Sequence, residues 1–559
     1  MEMLVFLGLV VVILVIAQIS GVINSRKMEQ NLKIRFKNNY GKLSGKKYDG
    51  SQMDHVSGYY DNHKDEDSLD DITWNDLEMD EIFKRVNYCN SAAGEEYLYY
   101  SLRNPKGDPQ ELQKLEEKIQ YMTDDQEKRL DLQLVFCKIG NPSKYSIYEY
   151  LKFLDNLGNR SNAAHFVMLA LLVFSIVEMF VVTEIGIVLF FFVVIFNIIS
   201  YYKSKNETDP YLATFSYIMR IVSYADMFEA LKGSPFDSEI DQLKEDARKM
   251  KPFLRGSSLL MSPTRNQATG NPTDMIMDYF RIITHLDLIK FNQMYAEVVK
   301  NYDVIDRMIT NVGKIETALS ICLFRASLNN GYCLPEFVEE KSFDMQEGYH
   351  PLIDDPVKNS FSSTKGLLLT GSNASGKSTF LKTCAINAIL GQAINTCLAT
   401  SYKSSSFRIY SSMALRDDLE GQDSYYIVEI KSLKRVLDAA ACEGKPVLCF
   451  IDEVLRGTNT VERIAASTQI LKHFSEMNVL CFAATHDIEL NELLEHNYDI
   501  YHFAGEVTDN DVHFDYLLHK GPATTRNAIK LLDIIGYDKD ITKDAEHLAQ
   551  KFITTGAWT

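Results

Sequence analysis

The sequence has no C-x-x-C pair. Its nine cysteines, Cys89, Cys137, Cys322, Cys333, Cys384, Cys397, Cys442, Cys449 and Cys481, are odd in number and scattered. That argues against a disulfide frame or a zinc site and reads as reduced core cysteine in a cytosolic compartment. Positive charge is also in deficit: 58 Lys and Arg stand against 76 Asp and Glu, a net charge of −18. Such a balance excludes a protein that coats nucleic acid over its whole surface, while leaving room for a local basic face. No low-complexity tract and no internal repeat occurs, and 559 residues suggest two to four domains.

Three hydrophobic segments stand out. Met3–Ile23 is interrupted only by Gln18 and Ser20, enough for a helix across the ~30 Å hydrocarbon layer. No basic residue precedes it and no A-x-A site follows, so it reads as an uncleaved transmembrane anchor over 1–24 rather than a signal peptide. Arg26, Lys27, Lys33, Arg35, Lys37, Lys42, Lys46 and Lys47 follow against one acid, Glu29, which places that side in the cytoplasm. Ala164–Val182 and Ile185–Tyr202 are separated by Thr183 and Glu184 and read as a transmembrane hairpin over 164–202. A buried helical hairpin is the rival reading, but Phe190, Phe191 and Phe192 have no polar counter-face. His165 falls at an end of the hairpin and Glu178 near its turn. The expectation is a multi-pass protein of the cell membrane with its C-terminal part cytoplasmic.

Residues 25–80 read as a basic, then acidic, juxtamembrane linker, and Asp49–Asp71 is its most linker-like part. Residues 81–340 carry helical periodicity, as in Leu112, Leu115, Ile119 and Met122. From about 345 short apolar runs alternate with helical stretches, which predicts an α/β layer with a largely parallel sheet. The fold class expected over 345–559 is therefore α/β, which the glycine-rich motif Gly371–Thr379 makes a P-loop ATPase domain of ABC type, preceded by an all-α region with transmembrane helices.

Gly371, Ser372, Asn373, Ala374, Ser375, Gly376, Lys377, Ser378 and Thr379 form the pattern G-x-x-x-x-G-K-[ST]. An apolar strand, Leu367–Leu369, precedes it and a helical run follows. The glycines let backbone N–H groups turn toward phosphate oxygens at a helix N-terminus. Lys377 is placed to reach the outer phosphates of ATP, and Ser378 to ligate Mg²⁺. Val447–Ile451 is a second apolar strand that ends in Asp452, placed to hold Mg²⁺, and Glu453, placed to orient or deprotonate water. A third strand, Val479–Ala484, leads to His486, which resembles the γ-phosphate-contacting histidine of ABC-type sites.

The stretch Asp452–Leu490 resembles the ATPase domain of the MutS DNA mismatch-repair family. Arg456-Gly457-Thr458 and Ala484-Thr485-His486 with Glu489-Leu490 follow its D-E-x-G-R-G-T-S-T and F-A-T-H-x-x-E-L patterns, with Leu455 in place of a glycine and Asn459 in place of a serine. Asp417–Leu419, Ser424–Glu429, Gly348–Leu352 and Phe514–Leu518 with Gly521 resemble further family segments, and Gly94–Pro105 more weakly its core and lever helices. The resemblance implies that Ser424 acts in trans on a second subunit's γ-phosphate, giving a homodimer with composite ATP sites and a helical dimerisation tail near Ala528–Phe552. The family's mismatch-reading domain, connector and DNA-gripping clamp have no counterpart in the sequence, and the hydrophobic hairpin lies inside the region that corresponds to the levers.

Two functions follow from the resemblance: a membrane-anchored ATPase whose closure clamps DNA, or the same motor acting on the membrane or a protein partner. An ABC transporter is disfavoured by the few spans and by the missing L-S-G-G-Q sequence.

Overall fold

The computed structural model describes residues 2–48, 53, 55–141, 146–154, 158, 160–208, 211–257, 279–371, 375–413, 425–507, 512–523 and 528–558. These fall into two compact units. One comprises 1–63, 87–100 and 117–326; the other comprises 64–86, 101–116 and 327–559.

Helices make up the first unit. The helix α1 (Glu2–Asn39) continues well past the apolar stretch. Its polar half is docked by charge: Lys33 pairs with Asp131, Glu29 with Lys138 at 2.6 Å, and the Arg129 guanidinium lies 4.1 Å from the Tyr40 ring centre. The segment read as a linker is therefore partly ordered. It includes a short helix, Gly58–His63, with Tyr59 and Tyr60 buried.

Helices α2 (Ala163–Val181) and α3 (Thr183–Thr208) form the hairpin, and both are long and apolar enough to cross a membrane. Their outer faces are bare: Phe180, Val188 and Phe192 are 86%, 70% and 69% exposed. Glu178 lies within one turn of the tip. The base is polar, and hydrogen bonds tie it to α4 (Leu286–Lys300) and the residues just before it. Asn197 donates to the Ile283 carbonyl at 2.9 Å, and the Tyr201 hydroxyl donates to Asp287 at 2.7 Å. The Nδ1 atoms of His165 and His285 lie 3.0 Å apart, and His285 Nε2 lies 2.8 Å from the Asn197 carbonyl. That carbonyl can only accept, so Nε2 carries the proton and His285 Nδ1 accepts from His165. Helix α5 (Tyr302–Ala326) closes the unit, buried along most of its length.

The second unit is α/β. A four-stranded sheet runs in the order β1 (Pro335–Phe337), β5 (Ser401–Ser404), β2 (Phe343–Gly348), β3 (Asn359–Ser363). A six-stranded sheet runs β10 (Val512–Lys520), β9 (Asp499–Val507), β4 (Leu367–Thr370), β8 (Val479–Thr485), β7 (Val447–Asp452), β6 (Arg408–Ser412). All of its pairings are parallel except β9–β10. Parallel strands covered on both faces need continuous apolar runs, which is how β4, β7 and β8 read; almost every residue in them is buried. Leu433, Val436, Leu471 and Phe474, from α7 (Tyr425–Ala441) and α8 (Thr460–Glu476), cover one face in a cluster with Val447, Cys449, Ile451 and Cys481.

Segments 64–86 and 101–116, which precede the hairpin in sequence, belong to this second unit. Buried hydrogen bonds are the reason: Ser411 Oγ and Met413 N–H both donate to Asp76, and Gln392 donates to the Pro105 carbonyl at 2.8 Å.

Candidate functional site

The site grows from the C-terminal ends of β4, β7 and β8. Strand β4 ends at Thr370, and the chain turns at Gly371 and Gly376, with φ of +145° and +105°. A Cβ on Gly371 would come within 3.0 Å of the Phe503 carbonyl, and one on Gly376 within 3.2 Å of the Tyr516 ring. The backbone sign favours glycine at both positions, and a Cβ would be crowded at each. Ser372, Asn373 and Ala374 lie outside the described residues. Helix α6 (Lys377–Ile394) starts immediately after Gly376 and aims its N-terminus at the site.

Lys377 is 5% exposed, and its ammonium donates to the Gly371 carbonyl at 2.9 Å. Burial lowers its pKa, while Asp452 and Glu453 act the other way. Ser378 Oγ donates to Asp452 Oδ2 at 2.5 Å, so the two residues expected to share a cation touch. Strand β8 lies between β4 and β7 and sets this spacing.

Glu453 follows β7 and takes a left-handed φ of +63°, its N–H donating to the Ala484 carbonyl on β8 at 3.0 Å. Its carboxylate meets His486 Nε2 at 2.6 Å and the Arg456 guanidinium on its other oxygen. Burial pushes the Glu453 pKa up, but His486, Arg456 and Lys377 outweigh it and hold the carboxyl below its usual range. Asp487 accepts two bonds from Arg463 on α8, at 2.8 and 2.6 Å, fixing the turn that carries His486.

The structure thus brings Gly371, Ser375, Gly376, Lys377, Ser378, Asp452, Glu453 and His486 together. A cavity of about 520 Å³ opens beside them, with Thr379 on its wall. Its far side is formed by His350, Val357, Phe503 and Tyr516. Burial drives the His350 pKa down to about 4, with Lys382 adding to the effect, so its imidazole is neutral near pH 7. Asn359 holds Tyr516 in place by donating to its carbonyl at 2.9 Å and accepting from Leu518 N–H at 2.8 Å. His350 and Tyr516 belong to segments matched in the sequence only as family resemblance, and their part in the cavity comes from the fold. Ser424, with all of 414–424, lies outside the described residues.

The donor set suits a nucleoside triphosphate with Mg²⁺. Ser375 Oγ is buried, has no hydrogen-bond partner among the described residues and lies just before Gly376, where a phosphate oxygen would satisfy it. A lysine, a helix N-terminus and a hydroxyl–carboxylate pair complete the arrangement.

Both departures from the family pattern have physical explanations. Asn459 replaces serine as the N-cap of α8, its side chain accepting from Glu462 N–H at 3.0 Å, a role that Asn and Ser fill about equally. Leu455 replaces glycine although its φ is +59°. The left-handed backbone costs roughly 1–2 kcal/mol. Leu455 is 2% exposed within the apolar cluster, and deleting such a side chain costs roughly 2–5 kcal/mol. Packing wins. Leu455→Gly is expected to lower unfolding free energy by about 1–3 kcal/mol in urea titration; a stabilised variant would mean that backbone strain dominates.

The α/β unit, with a glycine turn, an Asp-Glu pair and a histidine at one edge of a parallel sheet, is a mixed α/β domain with a phosphate-binding-loop sequence, and the other unit is helical. Residues 367–553, about a third of the chain, match the family described as MutS domain V. It is 27% identical to the DNA mismatch repair protein MutS of Aquifex pyrophilus over 283 residues, which is 48% of this chain and 32% of that one. It is 26% identical to MutS protein homolog 4 of Homo sapiens over 322 residues, 53% and 33% of the two chains. Against DNA mismatch repair protein MutS of Thermus thermophilus the figures are 29% over 231 residues, 40% and 28%. The chain spans about a third of the length of these relatives.

Proposed function

We propose that this protein is a membrane-anchored MutS-type ATPase that works as a dimer, closing on ATP and opening after hydrolysis, with DNA as the object clamped. The observation that carries the ATPase reading is the contact chain Ser378–Asp452 and Glu453–His486 at the mouth of the glycine turn. Lys377 and the N-terminus of α6 receive the phosphates. Glu453, ionised at neutral pH, takes the proton of the attacking water, and His486 orients it. Ser378 and Asp452 would hold Mg²⁺, which when bound neutralises charge on the phosphates. By family resemblance Ser424 completes the site of the second subunit. Two relatives are named for DNA mismatch repair, which supports DNA as the object.

The bare apolar faces of α2 and α3 support membrane insertion, and they favour a second reading in which the same motor acts on the membrane or a protein partner. One preparation separates the two. The detergent-solubilised full chain is assayed for ATP turnover with and without duplex, mismatched and branched DNA at low salt, where phosphate contacts are strongest. Stimulation by DNA that disappears in Lys377→Ala supports the clamp; turnover indifferent to every DNA moves the function to the membrane or partner motor. Alkaline carbonate extraction of the source membranes checks the anchor: retention is expected, and release into the supernatant would sink the spanning reading.

A further inference from the structure

The mechanism above does not use Glu429, although it is among the most buried carboxylates of the α/β unit. It sits near the start of α7, 1% exposed, between the exposed Ile427 and Ile430. Its Oε1 accepts the backbone N–H of Leu455 and that of Arg456, the latter at 3.3 Å. Its Oε2 is buried without a hydrogen-bond partner among the described residues. Burial raises its pKa, and the two N–H groups act the other way. A carboxylate kept in this state costs stability, so its geometric consequence is worth tracing.

The two N–H groups belong to the loop between β7 and α8. That loop is strained, with left-handed φ at both Glu453 and Leu455. Residue 456 has its N–H held by Glu429 while its guanidinium holds Glu453. The path from α7 to the hydrolytic carboxylate therefore runs through Glu429, the Arg456 backbone and the Arg456 side chain.

We propose that Glu429 is a positioning residue for hydrolysis: by binding the Leu455 and Arg456 N–H groups it fixes the loop that aims Glu453. The proposal rests on the ATPase reading. Glu429 does not line the cavity, so it is not expected to affect nucleotide affinity.

The test uses two near-isosteric variants of the full chain, so that it does not depend on a truncation that fails to fold. Glu429→Asp withdraws the carboxylate by one methylene and keeps the charge. Glu429→Gln keeps the reach and an accepting oxygen but loses the charge. Displacing a reacting group by about 1 Å can cost up to ~100-fold in rate. Glu429→Asp is therefore expected to lower kcat by at least about tenfold, with ATP affinity unchanged, and Glu429→Gln to recover most of the loss. Rates are taken per nucleotide-binding site, so that a merely structural role, which lowers the folded fraction, leaves them unchanged. Wild-type kcat in Glu429→Asp, or an equal loss in both variants, would overturn the positioning role. A wild-type chain with no turnover at all would instead sink the ATPase reading.

Discussion

Glu453→Gln is expected to bind ATP with wild-type affinity and to lose hydrolysis by about 10²- to 10⁴-fold, the range attributed to a general base. Glutamine keeps the shape and a partner for His486, which lies 2.6 Å from the carboxylate, but it cannot take a proton from water. The wild-type carboxyl is held below its usual pKa, with burial opposing and His486, Arg456 and Lys377 prevailing. The carboxylate proposed as the base is therefore ionised at neutral pH and becomes protonated only as pH falls through that depressed value. In the variant the ATP-bound state accumulates, and chemical cross-linking with ATP should capture a dimer that the wild type releases after turnover. Hydrolysis at the wild-type rate would show that the base is assigned to the wrong residue.

Lys377→Ala is expected to abolish binding rather than turnover alone. The ammonium is buried at the N-terminus of α6 and parked on the Gly371 carbonyl. Without it, the negative charges of Asp452 and Glu453 face the nucleotide's own, and repulsion replaces attraction. Thermal unfolding gives a direct readout. A ligand at 100 times its dissociation constant stabilises the folded state by about 2.7 kcal/mol. The wild type should show an ATP-dependent rise in melting temperature and Lys377→Ala none; an equal rise in both would remove Lys377 from the site.

The elements that declared themselves in the sequence are those whose signals are local. The glycine turn, the strand-ending Asp-Glu pair and the fully apolar strands are spelled by contiguous residues, and the hairpin by composition. What could not be read depends on contacts distant in sequence. Strand order, with β8 between β4 and β7, sets the Ser378–Asp452 contact across 74 positions. Glu429 reaches the loop at Leu455 across 26. Asp76 and Pro105 join the α/β unit through buried hydrogen bonds that leave no periodic trace. The left-handed Leu455 read only as a departure from a glycine pattern; the apolar cluster it fills explains why leucine is tolerated there. The polar segment after Ile23 looked like a linker because its charges were counted as solvated, whereas Lys33 and Glu29 are paired within the helical unit.

The most direct test of the central claim is Mg²⁺-dependent ATP turnover by the purified full chain in detergent, beside Lys377→Ala prepared in the same way. The account predicts turnover in the wild type, its loss when Mg²⁺ is chelated, and none in the variant. A wild-type chain that neither binds nor hydrolyses ATP, or turnover that survives Lys377→Ala, would contradict it.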